Sequence, residues 1–144
     1  GGAIVSLLRD LVDGVHHAKE EGILFDAMDR AGASRETGPI VVMVHEHERL
    51  QELLGDLTAT FEGSRPWDDE RRDQARAYAL SYADVLRRHM HHEELVLYPM
   101  AEAWLSDATK QEVDERCAAF DQDAQMSDLA DRLSRLTGSD GHAG

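Results

Sequence analysis

An all-α fold, an up-down four-helix bundle, is predicted by three features of the sequence. Apolar residues recur at steps of three and four over four long stretches, β-branched alternation is scarce, and the prolines at 39, 66 and 99 fall near the ends of those stretches. Short polar connections between long amphipathic helices favour antiparallel neighbours. With 144 residues, 42% of them hydrophobic, the chain has the size of one domain able to bury its own core. Residues 1–137 are assigned to the bundle, and 138–144, small and polar, to a disordered tail.

The first helix is expected from Ala3 to Ala31, with Ile4, Leu7, Leu8, Leu11, Val12, Val15, Ile23, Leu24, Ala27 and Met28 at helical spacing and Gly32 as its stop. The second follows Thr37-Gly38, with Pro39 suited to a first turn, and carries Ile40, Met43, Val44, His47, Leu50, Leu54 and Leu57 before Gly63. A third starts at Ser64-Arg65-Pro66 and runs through Tyr78, Tyr82, Val85, Leu86, His89, Leu97 and Met100 to Leu105. Pro99 should end or kink it, since the ring removes an amide donor and clashes with the preceding turn. Thr109 with Glu112 reads as a capping box opening a fourth, acidic helix over 109–136.

Charge narrows the function. Twenty-nine acidic side chains against fifteen basic ones give −14, a field that repels phosphates and anionic lipid, so neither nucleic acid nor a membrane surface is expected as a partner. No apolar run reaches the roughly 20 residues of a spanning helix, and no export signal opens the chain. The single Cys117 fits a reducing cytoplasm, the expected location. Neither a Gly-x-Ser-x-Gly elbow nor a phosphate-cradling glycine loop occurs, which disfavours nucleophilic hydrolysis.

The informative residues are polar ones at apolar positions. Steps of four on the first helix read Leu8, Val12, His16, Glu20, Leu24; on the third they read Val85, His89, Glu93, Leu97; the second places His47 between Met43 and Leu50. Two carboxylates in one interior cost several kcal/mol each unless a cation compensates them. Helix-borne His and Glu one turn apart can share an ion, and carboxylates can bridge two ions inside a bundle. The segments from His16 and from His89 also align without gaps in the frame His-x-x-x-Glu-Glu-x-x-Leu-aromatic, which suggests two facing half-sites.

With HHAKEEGILF, GPIVVMVHEHE and RHMHHEELVLYPMAE in that order, the stretch from Leu7 to Leu105 resembles the hemerythrin-like (HHE cation-binding) domain family. The resemblance implies a four-helix bundle with a non-haem di-iron site. His16, Glu20, His47, His89 and Glu93 match the ligand positions, with Glu20 and Glu93 as bridges, and His17 stands where some members add a ligand. It implies a domain that binds dioxygen or a related small ligand, or that senses or handles iron. The alternative is a metal-dependent oxidoreductase or peroxide-decomposing enzyme on the same two metals. Carboxylate-rich, thiolate-free ligation suits iron first, with manganese or zinc as substitutes. An interaction bundle without metal is a third class, which must account for two buried glutamates in some other way.

Family members usually open with a helix that supplies a further His, and the fifteen residues before His16 contain none. On that ground the family's first helix is read as lacking. The apolar groove beside the metals is then closed by residues 109–136 or by a second copy, and a homodimer is favoured because Val5, Leu8, Val12 and Val15 need cover. Among the remaining candidates, His17 is rotated about 100° from His16, so a surface position paired with Glu21 stands beside ligation. His45 and His91 are expected in solvent, and His92 at the rim. Tyr78, Tyr82, Met28, Met43 and Met100 read as core, Asp68, Asp69 and Glu70 as partners of a helix N-terminus, and Cys117 as unreactive.

Overall fold

The computed structural model describes residues 15–62 and 64–138, with side chains as far as residue 131. The expected helical residues 3–14 and the tail beyond Gly138 lie outside the described residues. Among those described, every regular element is helical, and no helix is long and apolar enough to cross a membrane.

The first rod is helical from residue 15. It passes through a π-helical turn, Glu20–Leu24, into α1, Phe25–Arg30. Gly32 stops it at φ 100°, with Gly32 N–H donating to Asp29 O and Ala33 N–H to Met28 O, both at 2.9 Å. These two bonds satisfy carbonyls that the helix end would otherwise orphan. Next comes α2, Pro39–Phe61, entered through Gly38 at φ 76° with Pro39 in its first turn.

The third element departs from expectation at both ends. α3 spans Asp69–His92 rather than starting at Ser64, because the Asp68 carboxylate accepts the Arg71 N–H at 2.9 Å and fixes the cap there. The buried Arg71 guanidinium donates to the carbonyls of Thr60, Glu62 and Arg65 and lies over the Trp67 ring, tying the α2–α3 connection down. A second π-helical turn, Glu93–Leu97, leads into α4, Tyr98–Trp104. Pro99 thus follows directly on the π-helical turn, at the start of α4, and the rod stays helical through it. α5 then runs over Asp107–Gly138. Its cap is Ser106, whose Oγ accepts the Thr109 N–H at 3.2 Å, so Thr109 lies inside the helix rather than at its cap.

Contacts set the topology. Arg71 meets Thr60 while His89 meets His47, so α2 and α3 are antiparallel. Arg30 pairs with Glu112, Asp26 with Arg116, and Lys19 with Asp121, so α5 descends antiparallel to α1. That places α5 along residues 19–30 of the first rod, while Val5, Leu8 and Val12 of the expected groove lie outside the described residues. The core falls into two apolar clusters. One gathers Phe25, Met28, Ile40, Met43 and Leu97; the other gathers Leu50, Leu54, Leu57, Tyr82 and Val85. Burying each large side chain contributes about 1.5–3 kcal/mol. In sequence the polar residues His47, His89 and Glu93 lie between members of the two clusters, which makes them a polar layer flanked by apolar ones.

Candidate metal centre

Two groups of side chains converge in that layer. The ligand atoms of His17, His47 and His89 lie within 4.8 Å of one another, and so do those of His16, Glu20 and Glu93. All but His16 are buried; His16 stands at the rim with 47% of its side chain exposed. Both groups draw on the repeated His-x-x-x-Glu frame, and each copy contains one of the π-helical turns. Such turns concentrate at functional sites because an i→i+5 bond lets the backbone re-aim a side chain.

The π geometry also corrects two expectations. His17 is buried, with its ring stacked 3.9 Å from that of His47, and it is not a surface partner of Glu21. His16, expected in the apolar row, is half exposed. Residues 15–17 are π-helical, and a wider turn separates neighbours by less than the about 100° of an α-helix, so consecutive histidines can address one interior.

Distances tie the groups together. Glu20 Oε2 is 2.9 Å from His47 Nε2 and 3.9 Å from His89 Nε2. Glu93 Oε1 is 3.0 Å from His89 Nε2 and 3.1 Å from His16 Nε2. Among the described residues, neither buried Glu20 oxygen finds a hydrogen bond of proper geometry. On their other edge, the imidazoles are held by carboxylates. His47 Nδ1 donates to Glu21 Oε1 at 2.6 Å, and His89 Nδ1 to Glu46 Oε2 at 3.2 Å. A carboxylate accepts only, so a proton on each Nδ1 leaves the two Nε2 atoms, 3.1 Å apart, to meet the Glu20 and Glu93 carboxylates on the inward side. Two carboxylates converging on one dry volume repel unless protons or a cation lie among them, and imidazole nitrogens with carboxylate oxygens are a donor set that fits a metal.

The charges respond accordingly. The Glu93 hydrogen bond raises the pKa of His16 against the effect of burial. Burial works against the charged form of His89, yet the hydrogen bond and charge of Glu93 raise its pKa overall. Burial likewise opposes the ionised form of Glu93, but bonds from His16 and His89 hold its pKa far below the usual carboxylate range. Burial, with the Glu93 and Glu20 charges, pushes the Tyr98 phenol up.

Sequence reasoning passed over Glu46 and the function of Glu21. Glu46 is buried and also accepts from His92 Nδ1 at 2.9 Å, with Arg88 Nε at 3.3 Å. Its signal was present: it is three residues after Met43 and four before Leu50, on the inward face of α2. His45 and His91 are in solvent as expected, and His92 is at the rim.

The hemerythrin HHE cation-binding domain family matches residues 2–101. The chain belongs to that family. This hemerythrin-like chain is also 35% identical over 106 residues to an iron-sulfur cluster repair protein, DnrN, of Neisseria gonorrhoeae, across 66% of the chain and 63% of that relative. It therefore spans less than two thirds of that relative's length. No solved structure matches it. The family match ends within α4, so α5 of this hemerythrin-like chain lies beyond it.

Proposed function

We propose that the chain holds a non-haem di-iron centre that binds dioxygen or a related small ligand and serves iron handling, in a compartment where Cys117 stays reduced. The observation that carries this reading is the pair of ligand groups, His17, His47, His89 and His16, Glu20, Glu93, sharing one polar layer. Glu20 and Glu93, each within reach of two imidazoles, would hold the two ions together with those rings. Glu21 and Glu46 fix the tautomers of His47 and His89, and Phe25, at 6.1 Å from the His47 ring, and Leu97 keep water from one side. Bound iron supplies redox-active positions open to a small diatomic ligand. Similarity to an iron-sulfur cluster repair protein supports iron handling as the setting.

A second reading, a metal-dependent oxidoreductase or peroxide-decomposing enzyme, is favoured by one observation. A cavity of about 190 Å³ lined by His16, Glu20, Leu24, Tyr98 and Cys117 adjoins the centre and has room for a small substrate. Association of two copies belongs to either reading and is checked by sedimentation mass with and without metal.

The deciding experiment is anaerobic loading with ferrous iron, followed by exposure to dioxygen or nitric oxide under optical observation. A reversible charge-transfer band with slow autoxidation supports binding, and rapid turnover of peroxide supports the enzyme. A spectrum unchanged by either gas, on protein shown to hold iron, contradicts small-ligand binding.

A further inference from the structure

We propose that Tyr98 is a positioning residue of the metal centre: its phenol donates a hydrogen bond to the Glu93 carboxylate and holds it turned toward the histidines. The inference rests on the reading of Glu93 as a metal ligand and adds a residue outside the His and Glu set.

The two repeated frames end on different aromatics. Phe25 closes the first π-helical turn by donating its N–H to Glu20 O, and Tyr98 closes the second by donating its N–H to Glu93 O. In an α-helix a residue five positions on stands about 140° round the axis. The wider i→i+5 turn brings it back over the face of the residue it bonds to. Each ring is therefore carried toward the glutamate of its own frame, and only in the second frame does the ring end in a hydroxyl. Phe25 is fully buried in the apolar cluster with Met28 and Leu97. Tyr98 stays 40% exposed and belongs to neither apolar cluster, so its phenol is not placed there by core packing.

The phenol meets Glu93. Burial, then the charges of Glu93 and Glu20 and the hydrogen bond to Glu93, push its pKa up, so it keeps its proton and donates throughout the neutral range. Glu93 Oε1 already meets His89 Nε2 at 3.0 Å and His16 Nε2 at 3.1 Å, and a further bond from the phenol fixes the rotation of that carboxylate. A neutral donor does this without adding a positive charge that would compete with a cation. Tyr98 also lines the cavity of about 190 Å³ beside His16 and Glu20. Of the other polar side chains in that wall, Lys19 pairs with Asp121 at 2.9 Å and His16 with Glu93, while Cys117 offers only a weak S–H donor.

The test uses the full chain labelled with fluorotyrosine, stripped of metal and titrated with zinc, followed by fluorine magnetic resonance and calorimetry. Three tyrosines give three resonances, and that of Tyr98 is the one missing from Tyr98→Phe. Zinc should move the Tyr98 resonance more than those of Tyr78 and Tyr82, which pack in the second apolar cluster. Tyr98→Phe should melt like the unaltered chain without metal, yet bind zinc about 10-fold more weakly. A Tyr98 resonance that moves no more than the other two overturns the proposal, and this measurement, made on the unaltered sequence, decides the matter even if Tyr98→Phe fails to fold. Equal zinc affinity in the two chains overturns it as well, as does a fall in metal-free melting temperature large enough to account for the weaker binding. Those outcomes leave the metal reading standing; binding of no zinc by the unaltered chain overturns both.

Discussion

Glu93 is the residue on which the centre turns, because one of its oxygens lies about equally close to His16 and His89. Glu93→Gln keeps the shape and removes the charge, whereas Glu94→Gln alters an exposed neighbour. A metal present at about 100 times its Kd stabilises the folded chain by about 2.7 kcal/mol. Thermal melts with and without chelator should show Glu93→Gln losing most of that increment and Glu94→Gln keeping it. Equal behaviour would mean that Glu93 is not a ligand.

The metal-free centre also makes a statement about pH. The pKa values of His16 and His89 are raised on folding, so their contribution is complete below the unfolded value near 6.5 and is lost as pH rises through the folded values. Glu93 is lowered, so its contribution is present above 4.5 and lost as pH falls through its folded value. Chelated protein should therefore be most stable between about pH 4.5 and 6.5 and melt at lower temperature as pH climbs past 7. Metal binding runs the other way, because protons compete for the imidazoles. Melts across that range, with and without metal, should diverge with rising pH; parallel curves would argue against these histidines as ligands.

Between residue and bundle, the π-helical turns Glu20–Leu24 and Glu93–Leu97, with the π-helical residues 15–17, do the positioning. Gly22 lies in the first, is exposed, and has open space where a Cβ would be. Deleting it removes the residue by which an i→i+5 turn exceeds an α-helical one, rotating residues 15–21 by about 100° relative to α1. Circular dichroism should show helix retained while metal binding drops at least about 10-fold; unchanged binding would show that the turn is incidental. These turns also mark how far the sequence is legible. Helices, stops at Gly32, entry at Pro39 and the two His-Glu frames follow from periodicity and end signals, because those depend on local chemistry. The burial of His17 was not legible, since a 3.6-residue period assigns it to another face and nothing in the frame announces a π turn. Glu46 was passed over for a related reason: a lone acid beside an inward position reads as solvated until the imidazole it serves is placed opposite. The Ser106 cap was missed because Thr109 and Glu112 offered the more familiar spacing.

At the scale of the whole molecule, ion pairs tie α5 to the first rod beside the packing of Val113 on the core. Its pairs to Asp26, Arg30 and Lys19 are mostly half exposed, and each such pair contributes at most about 1 kcal/mol and is screened by salt. Arg116 reaches both Asp26 and the Gly22 carbonyl. Arg116→Ala should loosen this helix and speed alkylation of Cys117, whose thiol burial pushes up in pKa, by several-fold, and added salt should do the same to the unaltered chain. An unaltered rate would mean that α5 is held by its apolar face alone. Whatever covers the centre, the chain brings His16, His17, His47 and His89 together with Glu20 and Glu93, a set suited to hold metal. Elemental analysis after anaerobic iron loading and removal of free metal tests it most directly: about two ions per chain, falling sharply in Glu93→Gln, is the result this structure predicts, and no stoichiometric metal in the unaltered chain is the result that would contradict it.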